Sequence, residues 1–218
     1  MKPTLIVALA MSSVPAWADN IVQNGSFEVF SGWDGTCPAG STQCAQFNAG
    51  NAGLTNWTVG AGGVDVVGTP WPAAHGNYSL DLNAIAPGQI SQTLSTTANQ
   101  AYRLTFELGA NYLYAPPYLN TKFGTVSVGS LVNQQLSFTN ANLYVFPGEA
   151  APMGWSSMVF DFVATGTSTT LIFTGLNEGN AGLALDNISV SAVPEPGSLA
   201  LMTAGLAMLA GLRRRRPA

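Results

Sequence analysis

Charge is what this chain has least of: Asp, Glu, Lys and Arg make up 8% of its 218 residues, and there is one histidine. Disorder needs high charge and few apolar residues, so scarce charge with 47% apolar content points to a folded body. Between residues 19 and 193 only Arg103 and Lys122 are basic, against ten acids, a net charge of −8. Phosphate backbones repel such a body, which argues against nucleic-acid binding. One histidine and two cysteines leave no zinc pattern. Phosphate-cradling and dinucleotide fingerprints are missing too. So is helical periodicity outside the two ends. His75 has no nucleophile-elbow sequence beside it. Glu107 and Asp161 alternate with apolar strand residues and could share a sheet face, but a glycosidase needs two acids placed about one bond. No catalytic residue is assigned, and the chain reads as a non-enzyme.

What is present begins with the two ends. Lys2, the apolar run Leu5 to Met11 and the small-x-small triplet Ala16-Trp17-Ala18 form a secretory signal peptide over residues 1–18, leaving Asp19 as the mature N-terminus. At the other end Pro194-Glu195-Pro196 breaks the preceding structure. An apolar stretch follows, read as a hydrophobic helix over 198–212, at the short end of what spans a bilayer. Arg213, Arg214, Arg215 and Arg216 then act as a stop-transfer block and stay cytoplasmic, which puts the body outside. A plain single-pass tail anchor gives the same orientation.

The order Pro-Glu-Pro, short apolar helix and arginine cluster resembles the PEP-CTERM sorting signal, over residues 194–218. That resemblance implies processing by an exosortase near Pro194-Glu195-Pro196. It also implies an inner-membrane tether with the domain in the periplasm of a Gram-negative-type bacterium, then transfer to the cell surface or extracellular matrix.

The body, residues 19–193, reads as all-β. In Tyr102-Arg103-Leu104-Thr105-Phe106-Glu107-Leu108 the even positions are apolar and the odd ones polar, the period of a strand with one buried face. Similar runs cover 57–59, 64–67, 78–82, 89–94, 125–128, 135–138, 158–163, 170–174 and 184–190. Turns such as Ala86-Pro87-Gly88 and Asn177-Glu178-Gly179-Asn180 separate them. This many short strands predict a two-sheet jelly-roll sandwich. Cys37 and Cys44, in an exported chain, read as a disulfide that staples a small loop. Trp57 and Trp155 are assigned to the core.

Six motifs in order carry a second resemblance. They are Asn24-Gly25-Ser26-Phe27-Glu28, Trp57-Thr58-Val59, Gly63-Val64-Asp65, the run Gly76 to Asn83, Ile90-Ser91-Gln92-Thr93 and Ala184 to Val190. Together they resemble the choice-of-anchor C family, with its galactose-binding-like domain. Residues 31–53, with the cysteines, look like a loop insertion relative to that pattern. The resemblance implies one structural calcium ion where first and last strands meet, held by Glu28 and Asp186 with loop carbonyls. It also implies binding of an extracellular polysaccharide. Exposed aromatic rings cover the apolar faces of sugars and amides take their hydroxyls, which nominates Trp71, Asn111, Tyr112, Tyr114 and Tyr118, with Trp33 beside the cysteines. The alternative for these rings is rim packing. The alternative function is a purely structural matrix protein, and behind it a glycoside hydrolase.

Overall fold

The computed structural model describes residues 19–36, 44–68, 71–111, 121–140, 153–194 and residue 205. Asp19–Ala192 forms one compact unit that holds every strand. The signal peptide, Glu195, Pro196, the 198–212 span apart from Gly205, and the arginine block lie outside the described residues. Among the described residues no helix is long and apolar enough to cross a membrane.

Among the described residues twelve strands build two antiparallel sheets. They are β1 (Gly35–Thr36), β2 (Cys44–Phe47), β3 (Thr58–Val59), β4 (Val64–Val67), β5 (Ser79–Asp81) and β6 (Gln89–Ser95). The rest are β7 (Ala101–Ala110), β8 (Thr121–Val128), β9 (Leu131–Thr139), β10 (Ser156–Val163), β11 (Ser168–Gly175) and β12 (Leu183–Ala192). The seven-stranded sheet runs β1-β2-β4-β5-β12-β7-β10 and the five-stranded sheet β3-β6-β11-β8-β9. Both are made by the period-two pattern. On β7, Leu104, Phe106 and Leu108 are buried and Arg103 is exposed, and β12 and β10 pair with it on either side.

Between the sheets lies one core that includes Phe27, Phe47, Phe106 and Phe173. Phe106 meets Phe173 of the opposite sheet edge-on at 5.1 Å. Burying one such ring contributes roughly 2–3 kcal/mol. Trp57 is in this core as expected, and its Nε1 donates to the Asn24 carbonyl at 3.0 Å.

Two readings need correction. Residues 31–53 are not simply an inserted loop: Cys44 to Phe47 form β2 and extend the seven-stranded sheet. The alternation that does this is Ala45 and Phe47 turned into the core. Trp155 lies outside the main core. It is half-buried over a second apolar cluster on the sheet's far face, its ring against the Gly109 backbone, where a Cβ would stand 3.0 Å from it. Cys44 is disulfide-bonded and no described cysteine is free; Cys37 lies outside the described residues.

Candidate functional site

Three of the sequence motifs converge where the chain's first and last segments meet. The N-terminal segment hydrogen-bonds β12, with Ile188 N donating to the Gly25 carbonyl at 2.9 Å. The approach is so close that a Cβ on Gly25 would lie 2.1 Å from the Ile188 carbonyl oxygen. Glu28 Oε1 accepts from the backbone N–H groups of Asn77 at 2.7 Å and Tyr78 at 2.9 Å. Asp186 Oδ2 accepts from His75 N at 2.8 Å and Oδ1 from Asn187 N at 2.6 Å. Burial raises the Asp186 carboxyl to about 6, against the lowering effect of those N–H groups. Ser26 Oγ and His75 Nδ1, 3.0 Å apart, close the knot. Gly76, at φ 76°, supplies the left-handed turn, and a Cβ there would meet Glu28 Oε1 at 2.3 Å.

The two acids expected to hold calcium are thus brought to one loop, residues 74–78, but as anchors for its amide hydrogens. Calcium takes six to eight oxygen ligands; these carboxylate oxygens face N–H donors instead. Among the described residues no group of three or more His, Cys, Asp and Glu could hold a metal.

A second polar cluster sits on the far face of the seven-stranded sheet. Asp65 and Asp81 are directly opposite each other on β4 and β5, so their side chains share a face. Asp81 Oδ1 accepts from Asn83 N at 2.9 Å and Gly182 N at 3.0 Å, and Oδ2 from Asn111 Nδ2 at 2.8 Å. Asp65 Oδ1 is buried with no hydrogen-bond partner. Burial, then the neighbouring Asp81 carboxylate, raises Asp65 to about 8. Burial lifts Asp81 to about 7, against the lowering effect of its hydrogen bonds and of Lys122. Asp65 therefore keeps its proton more readily than Asp81: it faces burial with no compensating donor. Asn83 Nδ2 reaches the Asn177 and Gly179 carbonyls at 2.6 and 2.9 Å, tying the 177–182 turn to the same cluster.

This arrangement corrects two expected glycan contacts. Asn111 is buried and its amide is engaged by Asp81. Trp71 is only 5% exposed and packs with Cys44, Val67, Met153 and Ala184. Val67 and Ala184 make this part of the far face apolar, and the ring covers it. Trp155 Nε1 donates to the Pro72 carbonyl at 2.8 Å and holds that loop down. Tyr112, Tyr114 and Tyr118 lie outside the described residues. Trp33 is exposed as expected, at 51%. Glu107 and Asp161 do lie on neighbouring strands, yet each has another partner. Ser157 Oγ donates to Glu107 at 2.5 Å, and Arg103 grips Asp161 through two bonds of 2.8 and 2.9 Å. They stand four register steps apart, roughly 13 Å along the strands, too far to act on one bond as a retaining pair.

The open concavity is elsewhere. A groove of about 420 Å³ runs beside β6, lined by Asn20, Ile21, Gln23, Asn56, Gln92, Thr93 and Ser95. β3 covers only the Ile90 and Ser91 end of that edge. Beyond it Gln92 takes over: its side-chain amide accepts from Gln23 N at 2.8 Å and donates to Gln23 O at 2.9 Å, pinning the N-terminal segment as one wall. Thr93 and Ser95 open the groove onto the outer face of the five-stranded sheet. Gln89, Ser91, Thr170, Thr174, Thr125, Ser127, Gln135 and Ser137 continue that face together with Ile172 and the exposed Phe123, and no described strand residue on it is charged. Sequence reasoning passed over these residues because it searched for aromatics on loops, not on strands. Their signal was the polar half of the alternation in Gln89-Ile90-Ser91-Gln92-Thr93-Leu94-Ser95.

Residues 20–191 match a family described as "Protein of unknown function (DUF642)". Residues 192–216 match the PEP-CTERM protein-sorting motif. The chain is 29% identical over 223 residues to Halomucin of Haloquadratum walsbyi, across 96% of this chain; it spans about 2% of that relative's length. Among solved structures, TmCBM61 in complex with beta-1,4-galactotriose is similar at a TM-score of 0.47 and 13% identity, covering 81% of this chain and 100% of that one. The CBM22-1 xylan-binding domain from Paenibacillus barcinonensis Xyn10C is similar at 0.45 and 18%, covering 70% and 94%.

Proposed function

This chain belongs to the DUF642 family and carries a PEP-CTERM sorting motif, and from that premise we propose that it is an exosortase-processed surface or matrix protein whose sandwich binds neutral polysaccharide. The observation that supports the reading is the uncharged groove beside β6 and the sheet face it opens onto, which bears hydroxyls and amides around Ile172 and the exposed Phe123. Side-chain amides and hydroxyls both give and accept hydrogen bonds, as sugar hydroxyls do, and Ile21 offers an apolar contact for a ring face. With no charge on the surface, the fitting ligand is a neutral glycan rather than a uronate or phosphate polymer. The protein acts by holding the chain and is not a catalyst. Membrane tethering through 198–212 before processing completes the route.

Affinity electrophoresis of residues 19–192 through gels containing neutral and acidic polysaccharides tests this. Retardation on a neutral glycan, abolished by Thr93→Arg or Ser95→Arg, is the expected result. Free migration of a folded domain on every glycan refutes it. Retardation that survives both variants refutes the groove.

A further inference from the structure

Strand β9 closes one side of the five-stranded sheet, and among the described residues β8 is its only ladder neighbour. Among the described residues no backbone group of 131–139 bonds to another backbone group outside that ladder. A free edge of this kind is a template for another strand, and proteins guard such edges with charge, proline, bulges or sheer shortness. The other three edges here are guarded: β1 and β3 are two residues each, and β10 carries the Arg103–Asp161 ion pair. Strand β9 reads Leu-Val-Asn-Gln-Gln-Leu-Ser-Phe-Thr, with no charge, proline or glycine over nine residues.

Its one irregularity is confined to its start. The register shifts opposite Val126/Val128, with Asn133 at φ 48°, so the bulge leaves Gln134–Thr139 in unbroken register with Thr121–Val126. Six uncharged residues of this composition are a self-pairing segment. Gln135, Ser137 and Thr139 are exposed, and Val132 nearby is 70% exposed.

We propose that β9 is an interface for a second copy of this chain, pairing antiparallel with its own counterpart about a two-fold axis. The occupant follows from charge as well as from the open ladder. A body of net charge −8 repels its own copies through most approaches. Through β9 the edge itself is neutral, the adjoining outer face is uncharged on its described strands, and Asp161 of β10 is paired with Arg103. An antiparallel contact of a strand with itself is isologous and closes as a dimer. The two five-stranded sheets become one continuous sheet, and the amides of Gln134 and Gln135 meet amides and hydroxyls of their own kind. Two β6 grooves are then carried by one particle, which cross-links chains by avidity. That last consequence rests on the glycan reading; the pairing does not.

Sedimentation velocity of residues 19–192, the unit that contains every strand, tests the pairing across about 1 to 500 µM. The expected result is a monomer–dimer shift, weakened at least about tenfold in Ser137→Lys and in Gln135→Lys. Both sites are exposed on the sheet's outer face, so unchanged circular dichroism shows that each variant is folded. Hydrogen exchange at amides 134–139 slows as wild-type concentration rises. A monomer at every concentration, the result that an edge taking only a foreign peptide would give, overturns the proposal. So does a dimer that both lysine variants leave intact, or protection that builds elsewhere. Glycan retardation of the monomeric lysine variants reads the β6 groove separately.

Discussion

Replacing Asp65 by Asn removes a buried carboxyl whose ionisation opposes folding, and its effect on stability depends on pH. In the folded chain Asp65 holds its proton to about pH 8, while the unfolded carboxyl ionises near 3.8. Between those values the folded state binds more protons, so stability falls as pH rises and levels off above about 8. Integrating that one site from about pH 5 to pH 8 gives a loss of about 3–4 kcal/mol. For a domain of this size that is roughly 10 °C in Tm. Asp81 lies directly opposite and titrates with it, and its three N–H donors make it the member that ionises first. In Asp65→Asn the site no longer titrates, so the variant overtakes wild type as pH rises and matches or trails it near pH 4. Urea unfolding of residues 19–192 followed by tryptophan fluorescence at about pH 4, 5, 6, 7 and 8 measures both curves. Wild-type stability that is flat or rising from pH 5 to 8 refutes the reasoning. An Asp65→Asn curve parallel to wild type refutes the assignment to this residue.

Further outcomes follow from the same geometry. Gly182→Ala puts a Cβ 2.3 Å from Asn83 Oδ1 and 2.8 Å from Asp81 Oδ1; it lowers stability by about 2–3 kcal/mol in urea, as overpacking does. Trp71→Ala opens a cavity under the 72–75 loop and costs about 3–5 kcal/mol in the same assay, whereas an exposed sugar-stacking ring would leave the urea midpoint unchanged. Calcium at millimolar concentration, compared with chelator, leaves the melting temperature of residues 19–192 unshifted, because Glu28 and Asp186 already accept loop N–H groups; a rise of several degrees shows that the loop reorganises around an ion.

Much of the fold was legible along the chain. The alternation at 102–108 and its counterparts placed β3 to β12 within a few residues, because a strand with one buried face must repeat with period two. The absence of helical periodicity in the body was read on equally local grounds. Cys44 to Phe47 escaped notice, since four residues inside a Gly/Ser-rich segment carry too short a pattern to outweigh their surroundings.

Tertiary structure decided the roles of side chains. Trp71 between two prolines looks exposed in sequence, yet Val67 and Ala184 from strands far apart in the chain create the apolar patch it covers. Asn111 looks like a free amide until Asp81 arrives 30 residues away to accept from it. Glu28 and Asp186 both reach loop 74–78, but which atoms face them depends on how that loop folds back, and backbone N–H groups occupy them there. The sequence by itself determined most of the strands, the sandwich and the sorting signal at its end, because those depend on local periodicity and order. Whether a polar residue is a ligand contact, a proton holder or a structural anchor depends on partners distant in the chain, and only the packed sheets bring those together.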